Sequence, residues 1–165
     1  MARSVGIYER SLRTMIHRLK YGGKLQLARP LGKVLMATFL RYWDNDDIDL
    51  VVPVPLHRNR FRERGFNQAY LLVREWDGLS AGGRIAPRTL IRHRPTRPQT
   101  GLGKRGRIEN IRDAFALSGG VSVTGKRVLL VDDVFTTGAT AGECAGVLIE
   151  GGASRVDVLT LARSV

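Results

Sequence analysis

The chain has 165 residues, of which 43% are hydrophobic and 25% charged, and this is the length and composition of one globular domain. That balance excludes a disordered, collagen-like or coiled-coil protein. The 27 lysines and arginines exceed the 15 acidic residues by 12, and such an excess favours partners that carry phosphate groups.

Cysteine content and hydropathy indicate the cellular setting. Cys144 is the only cysteine, and one cysteine with three scattered histidines is a poor set of zinc ligands. No apolar run approaches the roughly 18 residues that a membrane span needs, and no apolar run of signal-peptide type follows the first residues. We therefore expect a soluble protein of the reducing cytoplasm, without zinc and without membrane contact.

The N-terminal segment, residues 1–45, is predicted to be helical. Apolar residues recur at helical spacing from Leu12 to Leu19 and, after two glycines, from Leu27 to Tyr42. The nine basic residues before position 44 fit the exposed faces of two amphipathic helices. An acid-rich stretch at 44–49 then separates this segment from the rest of the single domain that we predict over 1–165.

Residues 46–165 are predicted to form an α/β core. Residues 50–54 are a short continuous apolar run, which is typical of a strand buried on both faces. The last third of the chain alternates strand, helix and strand, and this βαβ pattern predicts a parallel twisted sheet flanked by helices. The other predicted elements are a helix over 67–76, a weak strand over 89–92, a strand over 127–131, a helix over 139–150 and a strand over 156–161.

Much of the basic excess lies in two segments. Residues 57–65 contain four arginines and directly follow the apolar run at 50–54. Residues 78–108 contain eight lysines and arginines and no acidic residue. Because like charges repel, we expect the second segment to be an extended or mobile loop unless an anion binds to it.

The segment that carries recognisable chemistry is 128–140. Two aspartates end an apolar strand, and a hydroxyl-rich turn with a glycine then leads into a helix. Backbone N–H groups at such a turn, with threonine hydroxyls, can bind a phosphate monoester, and the carboxylates can accept hydrogen bonds from vicinal hydroxyls. The pattern predicts a site for a sugar phosphate such as ribose 5-phosphate, and its residues are Asp132, Asp133, Thr136, Thr137, Gly138, Ala139 and Thr140.

The segment 132–140 resembles the phosphoribosyl diphosphate (PRPP) motif of type I phosphoribosyltransferases, and nearly the whole chain resembles the ComF family within that superfamily. Further motifs carry the second resemblance. They are Leu-Lys-Tyr-Gly-Gly at 19–23, Val-Pro-Val-Pro-Leu at 52–56, Arg-Gly-Phe-Asn-Gln-Ala at 64–69, Gln99 with Arg107 and Asn110, and Thr-Leu-Ala-Arg at 160–163.

The resemblance implies an α/β fold of type I phosphoribosyltransferase kind and roles for individual residues. Asp132 and Asp133 would bind the ribose 2- and 3-hydroxyls, and residues 136–140 would bind the 5-phosphate. The loop after Pro55 would meet the diphosphate, and the segment 99–110 would match the mobile loop that closes over the site in the family. Mg²⁺ would bind through ligand oxygens, with Asp132 and Asp133 as further candidate ligands. The candidate diphosphate-binding residues are Leu56, His57, Arg58, Arg64, Lys104 and Arg107.

Two functions follow from this resemblance. One is transfer of a phosphoribosyl group from PRPP to an amine or a base, for which the sequence identifies neither the acceptor nor a catalytic residue. The other is a competence role, in which the protein handles single-stranded DNA with other competence proteins during natural transformation and has little or no transferase turnover. The net charge exceeds what one small anion requires, which keeps the DNA function open. A homodimer is also left open.

One departure from the family affects what can be carried over. ComF proteins commonly begin with a four-cysteine zinc-binding element, which this chain does not contain. We therefore do not expect zinc, or the partner contacts that such an element would make.

Overall fold

The computed structural model describes residues 1–44, 47–76, 84–96 and 103–164, without the side chain of Lys104. Five parallel strands form its main sheet. In spatial order they are β1 (Ala2–Ile7), β7 (Arg155–Arg163), β6 (Arg127–Phe135), β2 (Leu50–Pro53) and β3 (Arg84–Ile85). A separate antiparallel pair is formed by β4 (Leu90–Arg92) and β5 (Phe115–Leu117).

Helices lie on both faces of the sheet, so the predicted class, a parallel α/β sheet flanked by helices, is confirmed. They are α1 (Arg10–Tyr21), α2 (Ala28–Tyr42), α3 (Arg58–Arg64), α4 (Gln68–Val73), α5 (Lys104–Ile111) and α6 (Ala139–Glu150), with a 3₁₀ turn at Leu25–Leu27.

The central strand β6 separates two buried clusters. Leu129 and Val131 point to one face and pack with residues of α1, α2 and α4. Val128 and Leu130 point to the other face and pack with residues of α5, α6, β4 and β5. Because both faces are covered, residues 128–131 of β6 are a continuous apolar run and show no alternation of apolar and polar residues.

Strand β1 is an element that the sequence did not predict. It lies at the edge of the sheet and pairs with β7, from Ala2 opposite Val158 to Ile7 opposite Arg163. Its side chains are exposed or half-buried, so the strand lacks the apolar run that marks a buried one. The segment 1–45 therefore contributes a strand as well as the two predicted helices.

The basic segments also contain more regular structure than expected. Residues 58–64 form α3, which has no buried residue and therefore no apolar periodicity in its sequence. His57 caps its start by accepting a hydrogen bond from the backbone N–H of Asn59, and Gly65, with a φ of 81°, ends it. Within 78–108, where we expected a loop apart from the weak strand over 89–92, the described residues form β3, the predicted strand as β4, and the start of α5. Gln99 lies outside the described residues.

In the described part of the chain, no helix is both long and apolar enough to cross a membrane.

Close packing of α2 against α4 depends on Gly32. A Cβ atom at this position would lie 2.5 Å from the backbone oxygen of Leu72, so the helices would have to separate. We expect Gly32→Ala to lower the free energy of unfolding by about 1–3 kcal/mol in urea denaturation. The control is Gly146→Ala in α6, where a Cβ atom meets nothing within 4 Å, and the added methyl should raise stability by about 0.5–1 kcal/mol. Equal effects of the two variants would contradict this account of the packing.

Candidate functional site

The two aspartates of the motif lie near the carboxyl end of β6 and point to opposite faces of the sheet. Successive strand residues alternate in direction, so Asp133 shares the face of Val131, while Asp132 shares the face of Leu130. Asp133 is buried and Asp132 is half-buried. The backbone N–H of Asp133 donates a hydrogen bond of 2.8 Å to Asp132 Oδ1. The pair therefore has one buried and one half-buried carboxylate, on opposite faces of the sheet.

Asp133 forms an ion pair with Lys20, which lies in the last turn of α1. Lys20 Nζ is 2.8 Å from Asp133 Oδ2, and the side chains are 19% and 4% exposed. Burial lowers the pKa of Lys20, but the charge of Asp133, its hydrogen bond and a weaker effect of Asp132 leave that pKa above its ordinary value. Lys20 is therefore charged at neutral pH, and removing either member of the pair would leave the other without its partner.

Asp132 has an unusual proton affinity for a carboxyl group. Burial, followed by the charge of Asp133, raises the pKa of Asp132 to about 7, although Lys20, the backbone N–H of Asp133 and Arg92 partly oppose the shift. The same carboxylate, after burial, contributes to raising the pKa of the Cys144 thiol. Cys144 is a buried core residue of α6, and its raised pKa keeps it as an unreactive thiol.

Arg92, at the end of β4, brings a second cation to the acid pair. Burial lowers the pKa of Arg92, whereas the charge of Asp132 raises it and the charge of Arg60 lowers it, so all three groups lie within electrostatic range. Arg92 donates a hydrogen bond to Thr96 and stacks over Phe115 at 5.4 Å. Its buried Nε has no hydrogen-bond partner among the described residues, which leaves one donor near Asp132 unused.

The turn between β6 and α6 has the backbone geometry that a phosphate site needs. Gly138 has a φ of 77°, and a Cβ atom there would lie 2.8 Å from the ring of Phe135, so both conformation and space favour glycine. The Thr137 hydroxyl accepts a hydrogen bond of 3.4 Å from the N–H of Ala139. Gly138 provides no side-chain cap to α6, and residues 136–140 are all half-buried. The positive end of the α6 dipole is thus accessible.

The structure places the candidate diphosphate residues on three elements. Leu56 and His57 lie in the turn after β2, and Arg58 is exposed at the start of α3. Arg64, at the end of α3, donates to Gln68 Oε1 at 2.5 Å, and its guanidinium lies 5.2 Å from the ring centroid of Tyr21. Arg64 therefore contacts Tyr21, the residue next to Lys20 in the chain. Lys104 and Arg107 belong to α5, which packs on α6, and the Lys104 side chain lies outside the described residues.

Sequence reasoning missed Lys20 and Arg92 as neighbours of the acid pair. Lys20 was visible in the family motif at 19–23, but no role was attached to it. Arg92 was one of several arginines in an acid-free segment, and nothing in that segment distinguishes it. Both contacts join parts of the chain that are far apart in sequence, so residue spacing could not reveal them.

No cluster of three or more His, Cys, Asp or Glu side chains that could hold a metal ion occurs in the described ranges. The carboxylates at the end of β6 amount to one buried, paired group and one half-exposed group. This donor set is too small for a closed metal site made by the protein alone.

Comparison with curated proteins finds relatives over nearly the whole chain. DNA utilization protein YhgH of Salmonella typhi is 34% identical over 168 residues, which cover 98% of this chain and 71% of the relative. Competence protein F of Haemophilus influenzae is 32% identical over 169 residues, covering 97% and 71%. The chain belongs to the ComF family. A third relative of this ComF protein, competence protein ComFC of Bacillus subtilis, is 31% identical over 163 residues, covering 98% and 64%.

No family model matches the ComF chain. Among solved structures, glutamine PRPP amidotransferase from B. subtilis is 24% identical, with a TM-score of 0.46 over 79% of this chain and 25% of that one. A hypoxanthine phosphoribosyltransferase from Staphylococcus aureus is 17% identical, with a TM-score of 0.45 over 82% and 62%.

The raised pKa of Asp132 has a consequence for stability. The group is protonated in the folded protein at a pH where it is ionised in the unfolded chain, so stability falls as pH rises through the folded pKa of about 7. Asp132→Asn removes this dependence. We expect the variant to be close to wild type near pH 4, to gain on it as the pH rises towards 7, and to be more stable above pH 7 by on the order of 2 kcal/mol.

Urea denaturation across this pH range measures the difference, with Asp113→Asn as the matched control because Asp113 is exposed. Parallel pH profiles for wild type and Asp132→Asn would contradict the assignment.

Proposed function

We propose that this ComF-family protein binds PRPP or a related ribose 5-phosphate at the carboxyl end of β6. The observation that carries the proposal is the direct succession of an acid pair near the strand end, a turn that requires glycine at position 138, and a helix whose N-cap residue has no side chain. Ligands of parallel α/β sheets bind at this edge. This succession of groups can accommodate the vicinal hydroxyls of a ribose together with its 5-phosphate.

Each part of the ligand has a matching group. Asp132, the half-buried carboxylate, would accept hydrogen bonds from the ribose hydroxyls, and Asp133, paired with Lys20, would be the second acceptor. The 5-phosphate would accept hydrogen bonds from the N–H groups of the turn and from the hydroxyls of Thr136, Thr137 and Thr140.

The diphosphate would lie between basic groups of two elements. Arg64 approaches from α3, and Arg92 approaches from β4 with an unused Nε donor. Fixed guanidinium groups at this position would stabilise the negative charge of a leaving diphosphate. If transfer occurs, the nitrogen of an amine or base forms a bond to the anomeric carbon while the bond from that carbon to the diphosphate oxygen breaks, through a transition state of oxocarbenium character.

The residues present fit a magnesium ion that is bound mainly by the ligand. Mg²⁺ prefers oxygen donors, keeps several waters and often uses one or two carboxylates together with substrate phosphates. Asp132, being half-exposed and not engaged by Lys20, is the protein group suited to such a role. The ion would neutralise phosphate charge close to the acid pair, which would otherwise repel it.

Isothermal titration calorimetry with PRPP and Mg²⁺ tests the site. The wild type should bind, and Asp132→Ala combined with Asp133→Ala should lose the binding because both acceptors of the ribose hydroxyls are gone. Since Asp133→Ala leaves Lys20 unpaired, circular dichroism checks the fold, and Asp132→Ala alone should still weaken binding about tenfold. The control is Asp113→Ala, at an exposed position. Undiminished binding in a folded double variant would refute the site assignment.

A second candidate function is binding of single-stranded DNA, which helix α3 favours. Arg58 and Arg62 are exposed on it, and Phe61 between them is 49% exposed. Basic side chains with an accessible aromatic ring are the groups that bind the backbone and bases of single strands. The names of the relatives, competence protein F and DNA utilization protein, point the same way. Helix α3 also carries Arg64, which the diphosphate proposal uses, so the two functions would share this basic helix.

The DNA function predicts a steep dependence of affinity on salt. The slope of log affinity for a labelled oligonucleotide against log salt should decrease by about 1.4 in the Arg58→Gln, Arg62→Gln double variant, because about two fewer phosphates are contacted. Phe61→Ala should weaken binding by about 1–3 kcal/mol without changing the slope. Lys33→Gln, an exposed residue of α2, is the control. Absence of binding at low salt would exclude this function.

A further inference from the structure

We propose that Lys20 and Tyr21, at the end of α1, are positioning residues that fix the two halves of the candidate site, Lys20 through Asp133 and Tyr21 through Arg64. The proposal gives a role to the motif at 19–23, which the proposed function leaves without one. It rests on the proposed function for the identity of the ligand.

The first half of the argument is the contact of Lys20 with the ribose half of the site. Its ammonium group lies 2.8 Å from Asp133, whose side chain is only 4% exposed, while the Lys20 side chain is 19% exposed. The preceding residues Ile16 and Leu19 are completely buried and anchor α1 against the sheet. The ammonium group is therefore held in place by the core, and the Asp133 carboxylate is held by the ammonium group.

The second half is the contact of Tyr21 with the basic helix α3. Tyr21 is 66% exposed, so burial does not explain an aromatic residue there. Its ring lies 5.2 Å from the guanidinium carbon of Arg64, within the range of a cation–π interaction. The same guanidinium donates to Gln68. Arg64 is thus held by two groups, one of which comes from α1.

The end of α1 allows both contacts to be made by consecutive residues. Consecutive helical residues point about 100° apart, so Lys20 can reach the sheet while Tyr21 reaches α3. The helix ends at once, because Gly23 has a φ of 62° and the Lys24 N–H turns back to donate to the oxygen of Arg18. A Cβ atom at Gly22 would lie 2.9 Å from the oxygen of Arg18, which favours glycine at this position. Both contacts are therefore made by the last two residues of the helix.

If Lys20 and Tyr21 only stabilised the fold, replacing either one would weaken the binding of ribose 5-phosphate and of PRPP to the same extent. If Lys20 positions the ribose acceptor, its removal weakens every ligand that contains the ribose phosphate. If Tyr21 positions a cation for the diphosphate, its removal weakens only ligands that carry a diphosphate. The difference between ribose 5-phosphate and PRPP separates these effects from a general loss of stability, which would weaken both ligands equally for both variants.

The experiment measures the affinity of the full chain for ribose 5-phosphate and for PRPP, each with Mg²⁺, by calorimetry. Lys20→Met should lower both affinities about tenfold or more. Tyr21→Ala should lower PRPP affinity about threefold to fivefold, as expected for a cation–π contact, and change ribose 5-phosphate affinity by less than about twofold. Tyr21→Phe, which keeps the ring, should restore PRPP affinity. The controls are Lys33→Met and Tyr70→Ala, at exposed positions on α2 and α4, and neither should alter binding.

Two results would overturn the proposal: unchanged affinities in Lys20→Met, or equal losses for both ligands in Tyr21→Ala. If Lys20→Met does not fold, Lys20→Arg keeps the charge but displaces it, and should weaken both ligands without lowering the melting temperature. A wild type that binds neither ligand would reject the proposed function instead. The pairing is then judged by a double-mutant cycle of unfolding with Lys20→Met and Asp133→Asn, where additive effects refute it and coupling supports it.

Discussion

Two adjacent carboxylates lie near the end of strand β6, on opposite faces of the sheet. Their placement depends on the cations that compensate their charges. Asp133 points inward and is compensated by Lys20 at 2.8 Å. Asp132 points to the other face, has Arg92 within electrostatic range and a pKa raised to about 7. One cation comes from α1 and the other from β4, so two separate parts of the chain meet at the acid pair. A buried carboxylate without its partner would be strongly unfavourable, which makes the position of α1 part of the site.

The sequence could predict what is local. The apolar run of β6, the two aspartates, the turn with Gly138 and the helix α6 are consecutive in the chain, and the structure has them in that order. The two N-terminal helices were also predicted, because their apolar residues recur at helical spacing. The edge strand β1 was not, since its side chains are largely accessible and its pairing with β7 joins the two ends of the chain.

The contacts that complete the site could not be predicted for a related reason. Helix α3 buries no residue, so its sequence has no apolar periodicity that would predict a helix. Its four arginines instead suggest a basic loop. Lys20 fits the exposed face of an amphipathic helix in sequence, yet it is the partner of a buried acid. A single basic residue on a helix carries no sign of whether it meets solvent or a carboxylate on a distant strand.

The basic residues can now be grouped by what their side chains contact. Arg127 pairs with Asp49, and Arg94 donates to the backbone oxygens of Asn110 and Arg112 near the end of α5, so these two cations serve the fold. Lys20 and Arg92 balance the acid pair. Arg60 pairs with Glu63 on α3, whereas Arg58 and Arg62 are exposed on the same helix, where a large anion could contact them.

A crystal structure with ribose 5-phosphate and Mg²⁺ tests the central claim most directly. The account predicts the phosphate at the start of α6, against the turn that contains Gly138, and the ribose hydroxyls against Asp132, with the Lys20–Asp133 pair intact. A phosphate bound instead among the arginines of α3, with the end of β6 free of ligand, would contradict it.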